Sequence, residues 1–300
     1  MRRLTRRLAV LALMSGLSCG SPIGAQATGT LDTIRQTRTI RIAHRESSLP
    51  FSYLDENRVP VGYAVDLCKK IAEAVQRQLK LPRLEVVYVP VSSVTRIPAI
   101  VEGKADLECG STTNNAERRK QVAFTIPHFI ATVRMLVRVD SGIQNWVDLR
   151  GKTVVTTKGT TTIKLLTDRD KVRALDLKIV EGTDHAASFA LLEAGTAEAF
   201  PMDDALLFGL RASARTPEKF TVTGASLSAE PYAIMLRKDD PAFKRVVDLE
   251  MARLIHDGQL QALYQKWFER PISPRGINMK MPMHNLFRGT LQYPSDSVGD

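Results

Sequence analysis

Histidine and cysteine are scarce in this sequence, and their scarcity closes several readings at once. The five histidines in 300 residues (His44, His128, His185, His256 and His284) show none of the spacings of a zinc site, so no metal site is expected. Of three cysteines, Cys19 lies near the amino terminus, and Cys68 and Cys109 are too few for a disulfide-built scaffold. Those two could pair in an oxidising compartment; two buried free thiols are the expectation. A phosphate-binding loop is also missing. Gly151-Lys152-Thr153 matches its last residues, but the glycine needed five positions before Gly151 is Trp146. Beyond residue 27 there is no G-x-S-x-G elbow and no apolar run long enough to cross a bilayer. With 44% hydrophobic and 25% charged residues, the chain has the apolar surface that disordered chains lack.

What the sequence does have is positive charge, with 42 Lys and Arg against 32 Asp and Glu, a formal net +10. Its placement decides its meaning. Four arginines fall in the first seven residues, an apolar run follows from Leu8 to Met14, and Ala25-Gln26-Ala27 closes the segment. This is the pattern of a secretory signal peptide over residues 1–27. A lipid anchor on Cys19 is not expected, because in Gly16-Leu17-Ser18 the leucine is displaced by one position. Removal of the segment leaves 273 residues with net charge +6, an ordinary surface excess rather than a nucleic-acid-binding arm.

Strand-like and helical stretches then alternate. Strands are predicted at 39–44, 84–89, 105–108, 153–157, 177–180 and 197–202, and helices at 66–79, 94–102, 162–175, 185–194 and 205–211. Such alternation predicts parallel sheets covered by helices. Asn114 with Glu117 forms a capping-box pattern, and Asp184 is placed to cap the helix that follows it. Two apolar strands ending in basic residues, Arg134 to Arg138 and Ile234 to Lys238, read as the passages between two lobes. The expected order is lobe 1 over 28–137, lobe 2 over 138–232, lobe 1 again over 233–270, and an extended tail over 271–300 packing on lobe 1.

Polar residues collect where the predicted strands end. Arg45 follows the first strand, Ser93 and Arg96 the second, and Ser111, Thr113 and Arg118 the third. In lobe 2, Thr161, His185 and Asp203 occupy the corresponding places. Ligands of open α/β sheets bind at the carboxyl ends of strands, so these residues converge on a cleft between the lobes. Three guanidiniums offer forked donors to carboxylates, the hydroxyls of Ser93, Ser111, Thr113 and Thr161 add neutral donors, and Asp203 is the acid placed to receive an ammonium. A ligand with two carboxylates and one ammonium matches this inventory, because each buried ligand charge needs a partner. His185 by itself reads as a surface histidine. Of Asp203 and Asp204, one is expected to cap the following helix.

Several ordered stretches carry a resemblance: His44-Arg45-Glu46-Ser47-Ser48 with Pro50-Phe51-Ser52-Tyr53, Glu108 to Asn115, Gly159-Thr160-Thr161, Met202-Asp203-Asp204-Ala205-Leu206, Leu236 to Pro241, and Lys266-Trp267-Phe268. Together they resemble the periplasmic solute-binding proteins of ATP-binding cassette importers for polar amino acids, and among these the branch for glutamate and aspartate. The resemblance runs over nearly the whole mature chain and weakens after Pro271. It implies a type II periplasmic binding protein fold: two α/β lobes joined by two hinge strands, with the ligand cleft between.

It also implies roles. Arg118, Thr113 and Thr161 would hold the α-carboxylate of L-glutamate or L-aspartate, and Ser111 and Asp203 the α-ammonium. Arg45, Ser93, Arg96 and His185 would hold the side-chain carboxylate. Lys158 departs from the family pattern, which has a small residue beside the Gly159 loop, and Cys68 is an addition. The implied protein is a periplasmic monomer without a cofactor that closes on its ligand, makes no bond and delivers to a permease in the inner membrane. The alternative is an enzyme on the same fold, of the cyclohexadienyl dehydratase type, which needs a general acid in the cleft. Asp203 is the only cleft acid the sequence places, and it already has an ammonium to bind. A sensor module for a chemoreceptor would share the pocket and differ only in its partner.

Overall fold

The computed structural model describes residues 29–274 and 276–297; the expected signal segment and Cys19 lie outside them. The chain opens with α1 (Thr30–Thr37) and β1 (Thr39–His44), then a small antiparallel sheet of β2 (Ser47–Ser48), β3 (Ser52–Leu54) and β4 (Pro60–Val61). Next come α2 (Tyr63–Leu79), β5 (Glu85–Pro90), α3 (Arg96–Val101), β6 (Leu107–Cys109), α4 (Ala116–Arg119) and β7 (Val122–Phe124). The second body holds β8 (Phe129–Arg138), β9 (Thr153–Thr157), α5 (Thr161–Arg173), β10 (Lys178–Gly182), α6 (His185–Glu193), β11 (Ala199–Asp203), α7 (Asp204–Ser213), β12 (Phe220–Thr223) and β13 (Ala229–Tyr232). The chain then returns through β14 (Met235–Arg237), α8 (Pro241–His256) and α9 (Gln259–Tyr264), and α10 (Asn285–Gln292) follows.

Two mixed sheets result. In lobe 1 the order is β5-β1-β6-β14-β7, with β1 parallel to both β5 and β6, and β14 antiparallel to both its neighbours. In lobe 2 it is β10-β9-β11-β8-β12, with β13 also paired to β8. The expected all-parallel sheets are therefore corrected. The βα units are parallel as predicted, but the strands that carry the chain between lobes run against them. Helices cover the sheets through spaced apolar residues: Ala64, Leu67, Ile71, Val75 and Leu79 of α2 are all buried on one stripe. Burying each large aliphatic side chain contributes about 1.5–3 kcal/mol.

The passage between lobes lies earlier than Arg134 to Arg138. Residues 129–137, expected in lobe 1, pair with β11, β12 and β13 inside the second sheet. The real crossing is at 125–128, beside 232–234: the Thr125 amide donates to Ile234 O at 3.0 Å and the His128 amide to Tyr232 O at 2.8 Å. The reason is that β8 is covered on both faces, so its apolar run extends well past the crossing. An aromatic cluster anchors the passage. Phe51, Phe129, Tyr232 and Phe268 pack with Phe51–Phe129 centroids 4.9 Å and Phe129–Phe268 centroids 5.0 Å apart.

Three further expectations change. Cys68 and Cys109 are not free thiols but a disulfide, because α2 lies over β6 and brings their Cα atoms within 6.3 Å. The tail is not simply extended: α10 buries Phe287 and Leu291 on one face. His284 Nε2 lies 3.0 Å from Ile130 O, so the tail also touches the strand leaving the crossing, besides its Lys244–Asp296 ion pair with lobe 1 at 2.7 Å. The cap of α4 is Asn115, which accepts from the Arg118 amide at 2.9 Å, while Asn114 Oδ1 accepts from Arg119 Nε. Asp184 caps α6 as predicted, accepting from the Ala187 amide at 2.8 Å.

Candidate functional site

The disulfide ties α2 to the end of β6, and the next residues, Gly110 and Ser111, begin the lobe 1 wall of the cleft. Ser93, Arg96, Ser111, Thr113 and Arg118 line a small enclosed cavity there, and Thr161, His185 and Asp203 line it from lobe 2. Eight of the nine sequence-predicted residues thus surround one space. Arg45 sits in an adjoining pocket with Glu46, Ser47, Ser92 and Asp184.

Lobe 1 brings concentrated positive charge. Arg45 is 1% exposed, and neither of its terminal nitrogens has a protein hydrogen-bond partner. Arg96 donates from Nη1 to Thr112 Oγ1 at 2.7 Å and to Ser111 O at 3.3 Å, and its Nε has no partner. Arg118 donates from Nη1 to Thr113 O at 2.9 Å. Burial, reinforced by the Arg96 guanidinium, pushes both Arg45 and Arg118 down to about 9. Burial also lowers Arg96, against the pull of Glu108. A guanidinium keeps its charge at neutral pH.

Lobe 2 brings groups that the protein already holds. Asp203 Oδ2 accepts from the Tyr232 hydroxyl at 2.5 Å, while Oδ1 has no partner. Burial pushes the Asp203 carboxyl up to about 8, with Glu230 adding to the shift. Asp204 takes the structural work: it accepts from the Thr132 amide at 3.1 Å and from the Ala205 amide at 2.8 Å. Thr161 Oγ1 donates to Glu230 Oε2 at 3.0 Å, and Thr161 is the first residue of α5, where the helix amides favour an anion. His185 is not on the surface but 1% exposed; its Nδ1 lies 2.9 Å from Thr157 Oγ1 and its Nε2 has no partner. Burial and the Arg45 and Arg96 charges hold that imidazole well below its usual range.

The lobes meet closely at this mouth. Gly159 has φ +77°, and a Cβ there would lie 3.0 Å from the Ser93 carbonyl across the cleft, so only glycine fits without strain. Lys158 is exposed and does not line the cavity.

Three residues near the site were not read from the sequence. Glu108 is fully buried and its Oε2 accepts from Thr112 Oγ1 at 2.6 Å, which places an acid behind the Arg96 contact. Glu230 and Tyr232 lie on β13, a strand the sequence reading missed because Pro231 interrupts it. The available signal was their alternation, which puts positions 230 and 232 on one face. Among the described residues, no cluster of histidine, cysteine and acidic side chains could hold a metal, and no helix is long and apolar enough to cross a membrane.

Comparison with known proteins accords with this geometry. The model of the bacterial extracellular solute-binding proteins, family 3, matches residues 40–270. The L-glutamate/L-aspartate-binding protein of Pseudomonas aeruginosa is 42% identical over 99% of both chains. The glutamate/aspartate import solute-binding protein of Escherichia coli is 40% identical, again over 99% of both. Among solved structures, a mutant of ArgBP from T. maritima superposes with a TM-score of 0.70 at 30% identity, covering 79% of this chain and 98% of its own. The chain belongs to the bacterial extracellular solute-binding proteins of family 3.

Proposed function

We propose that this protein captures L-glutamate or L-aspartate by closing two lobes on it and delivers it to an ATP-binding cassette importer. The observation that carries this reading is a cavity lined by the buried guanidiniums of Arg96 and Arg118 from lobe 1 and by Asp203 from lobe 2, with Arg96 Nε, Asp203 Oδ1 and, in the adjoining pocket, both terminal nitrogens of Arg45 lacking a protein partner. Arg118 and the Thr161 amide suit the α-carboxylate, Asp203 and Ser111 the α-ammonium. Arg96, Ser93, His185 Nε2 and Arg45 suit the side-chain carboxylate. Charge-assisted hydrogen bonds of this kind contribute about 1.5–3 kcal/mol each, and each ligand charge offsets a desolvated protein charge. Contacts from both lobes favour the closed arrangement. The sequence supports a periplasmic site of action after removal of residues 1–27, a single-chain carrier and a permease partner; the names of the relatives support import.

Asp203, held near pH 8, would also suit a general acid, so incubation with prephenate or arogenate and a search for aromatic product tests the enzyme reading. The direct test is calorimetry at pH 8 on the mature protein with glutamate, aspartate, glutamine, asparagine and cysteate. Binding of the acidic amino acids in preference to the amides is the expected result. Absence of binding by glutamate and aspartate at sub-millimolar concentration would sink the proposal.

A further inference from the structure

A chain of three buried side chains runs behind the lobe 1 wall of the cleft. It begins at Glu108, fully buried on β6, where Ala43 of β1 and Met235 of β14 stand opposite it on the two neighbouring strands. The next residue, Cys109, is tied to α2 by the disulfide, so the acid stands on a strand paired on both edges and bolted to a helix. Its Oε2 accepts from Thr112 Oγ1 at 2.6 Å. Its Oε1 has no hydrogen-bond partner and lies against Gly110, where a Cβ would come 2.4 Å from that oxygen and 2.9 Å from Arg45 Cγ. Thr112 Oγ1 in turn accepts from Arg96 Nη1 at 2.7 Å. Of the three residues, Arg96 alone lines the cavity. The chemistry of the donors fixes the direction of this chain. A guanidinium nitrogen can only donate, so Thr112 Oγ1 must present a lone pair to Nη1. The one proton of that hydroxyl then goes to Glu108, whose oxygen holds it away from Arg96. Nη1 also donates to Ser111 O, but at 3.3 Å, so the Thr112 contact is the shorter and stronger hold on the guanidinium, and Nε is left without a partner.

We propose that Glu108, acting through the Thr112 hydroxyl, is the positioning residue that aims Arg96 at the side-chain carboxylate of the ligand. The inference rests on the acidic-amino-acid reading above. It gives two residues outside the cavity a share in choosing an acid over its amide. A guanidinium aimed at a carboxylate makes a hydrogen bond roughly twice as strong as one between neutral groups. An Arg96 released from Thr112 loses that aim, and the loss falls on glutamate more than on glutamine.

The test is calorimetry with glutamate, and with glutamine by competition, on the wild type, Thr112→Val, Thr112→Ser, Glu108→Met and the Thr112→Val/Glu108→Met double variant. Thr112→Val keeps the shape and removes the hydroxyl, whereas Thr112→Ser keeps the hydroxyl. Glu108→Met keeps the length of the side chain and removes the acceptor. Thr112→Val should narrow the glutamate-to-glutamine affinity ratio about tenfold, the worth of one hydrogen bond to a charged group, and Thr112→Ser should stay near the wild type. Glu108→Met also removes a negative charge behind the arginines, and that field acts alike with or without the Thr112 hydroxyl. The two substitutions should therefore weaken glutamate together by less than the sum of their separate effects. In the ligand-free protein, the Arg96 Nε–H resonance, identified by its loss in Arg96→Lys, should move in Thr112→Val and Glu108→Met and hold in Thr112→Ser. Equal weakening of both ligands, additive effects in the double variant, a ratio that Thr112→Ser does not preserve, or an unmoved Arg96 resonance would overturn the proposal. Should Glu108→Met fail to fold, the two Thr112 variants and the Arg96 resonance decide it. If the wild type binds neither ligand yet the resonance moves as expected, the ligand reading fails while the relay from Glu108 to Arg96 stands.

Discussion

The two walls of the cleft are built on opposite principles. Lobe 1 presents three buried guanidiniums that share one lobe 1 acid, Glu108, with Arg45 Nη1 and Nη2 and Arg96 Nε lacking a hydrogen-bond partner. Lobe 2 presents groups already held from behind: Asp203 by Tyr232, Thr161 by Glu230 and His185 by Thr157. Three cations sharing one acid gain most from a carboxylate, so under the proposed function lobe 1 would supply affinity. A wall of pre-positioned groups discriminates by geometry, so lobe 2 supplies selection as it closes. Under the proposed function the same asymmetry would order the events, with carboxylates engaging lobe 1 in the open form and lobe 2 testing the ammonium on closure.

The comparison breaks most visibly at Arg96. Arg96→Ala should weaken glutamate binding by about 3–5 kcal/mol, because the ligand carboxylate is left buried without its forked donor. Isothermal calorimetry reads this directly, and an affinity unchanged from the wild type would remove lobe 1 as the source of binding energy. Substitution in lobe 2 should cost less. Asp203→Asn keeps an acceptor for the Tyr232 hydroxyl but loses the charge opposite the ammonium, a loss of about 2 kcal/mol. If it costs as much as Arg96→Ala, the division of labour between the walls is wrong.

Acidity sharpens the same contrast. Asp203 is raised to about 8, first by burial and then by Glu230, with Asp204 adding to the shift and Tyr232 and Arg118 opposing it. The ammonium binds the ionised form, so below pH 8 a proton must leave before the ligand is held. Affinity should therefore peak between about pH 8 and about pH 9, where Asp203 is ionised and Arg45 and Arg118 are still charged, and fall as pH drops, by up to about tenfold per unit for one displaced proton. Asp203→Asn should flatten this profile. A profile that keeps its slope in that variant would assign the proton to another group.

Much of this arrangement was legible in the sequence, and the exceptions have physical causes. Strand ends announce themselves through the change from apolar to hydroxyl-rich and charged residues, which is why Ser93, Ser111, Thr161 and Asp203 could be placed at one cleft before any coordinates. Apolar runs do not announce which sheet they join: β8 is buried on both faces, so nothing in Arg134 to Arg138 reveals that the crossing has already occurred. The Cys68–Cys109 pairing depends on α2 lying over β6, a contact between residues distant in the chain. His185 read as exposed because one histidine at a helix start carries no signal of the lobe that will cover it. Glu230 and Tyr232 were hidden by Pro231, which stands in β13 opposite Ile130 of β8 and accepts at its carbonyl from the Asn114 amide at 2.7 Å.

Closure itself can be perturbed without touching either wall. Gly209 lies within α7 of lobe 2, and a Cβ there would come 2.5 Å from Leu49 O and 2.9 Å from Leu49 Cδ2 in lobe 1. Alanine is a better helix former than glycine by about 1 kcal/mol, so Gly209→Ala should not weaken α7 itself. Its cost falls on the contact between lobes, where overpacking of this kind costs about 1 kcal/mol or somewhat more. Glutamate affinity should fall roughly fivefold, the equivalent of that 1 kcal/mol, while the thermal midpoint of the ligand-free protein holds or rises. Small-angle scattering with saturating glutamate should show a larger radius than the wild type. If affinity and radius are both unchanged, the close approach of Leu49 and Gly209 belongs to the hinge region of both states, and selection by lobe 2 must be read from the cleft residues alone.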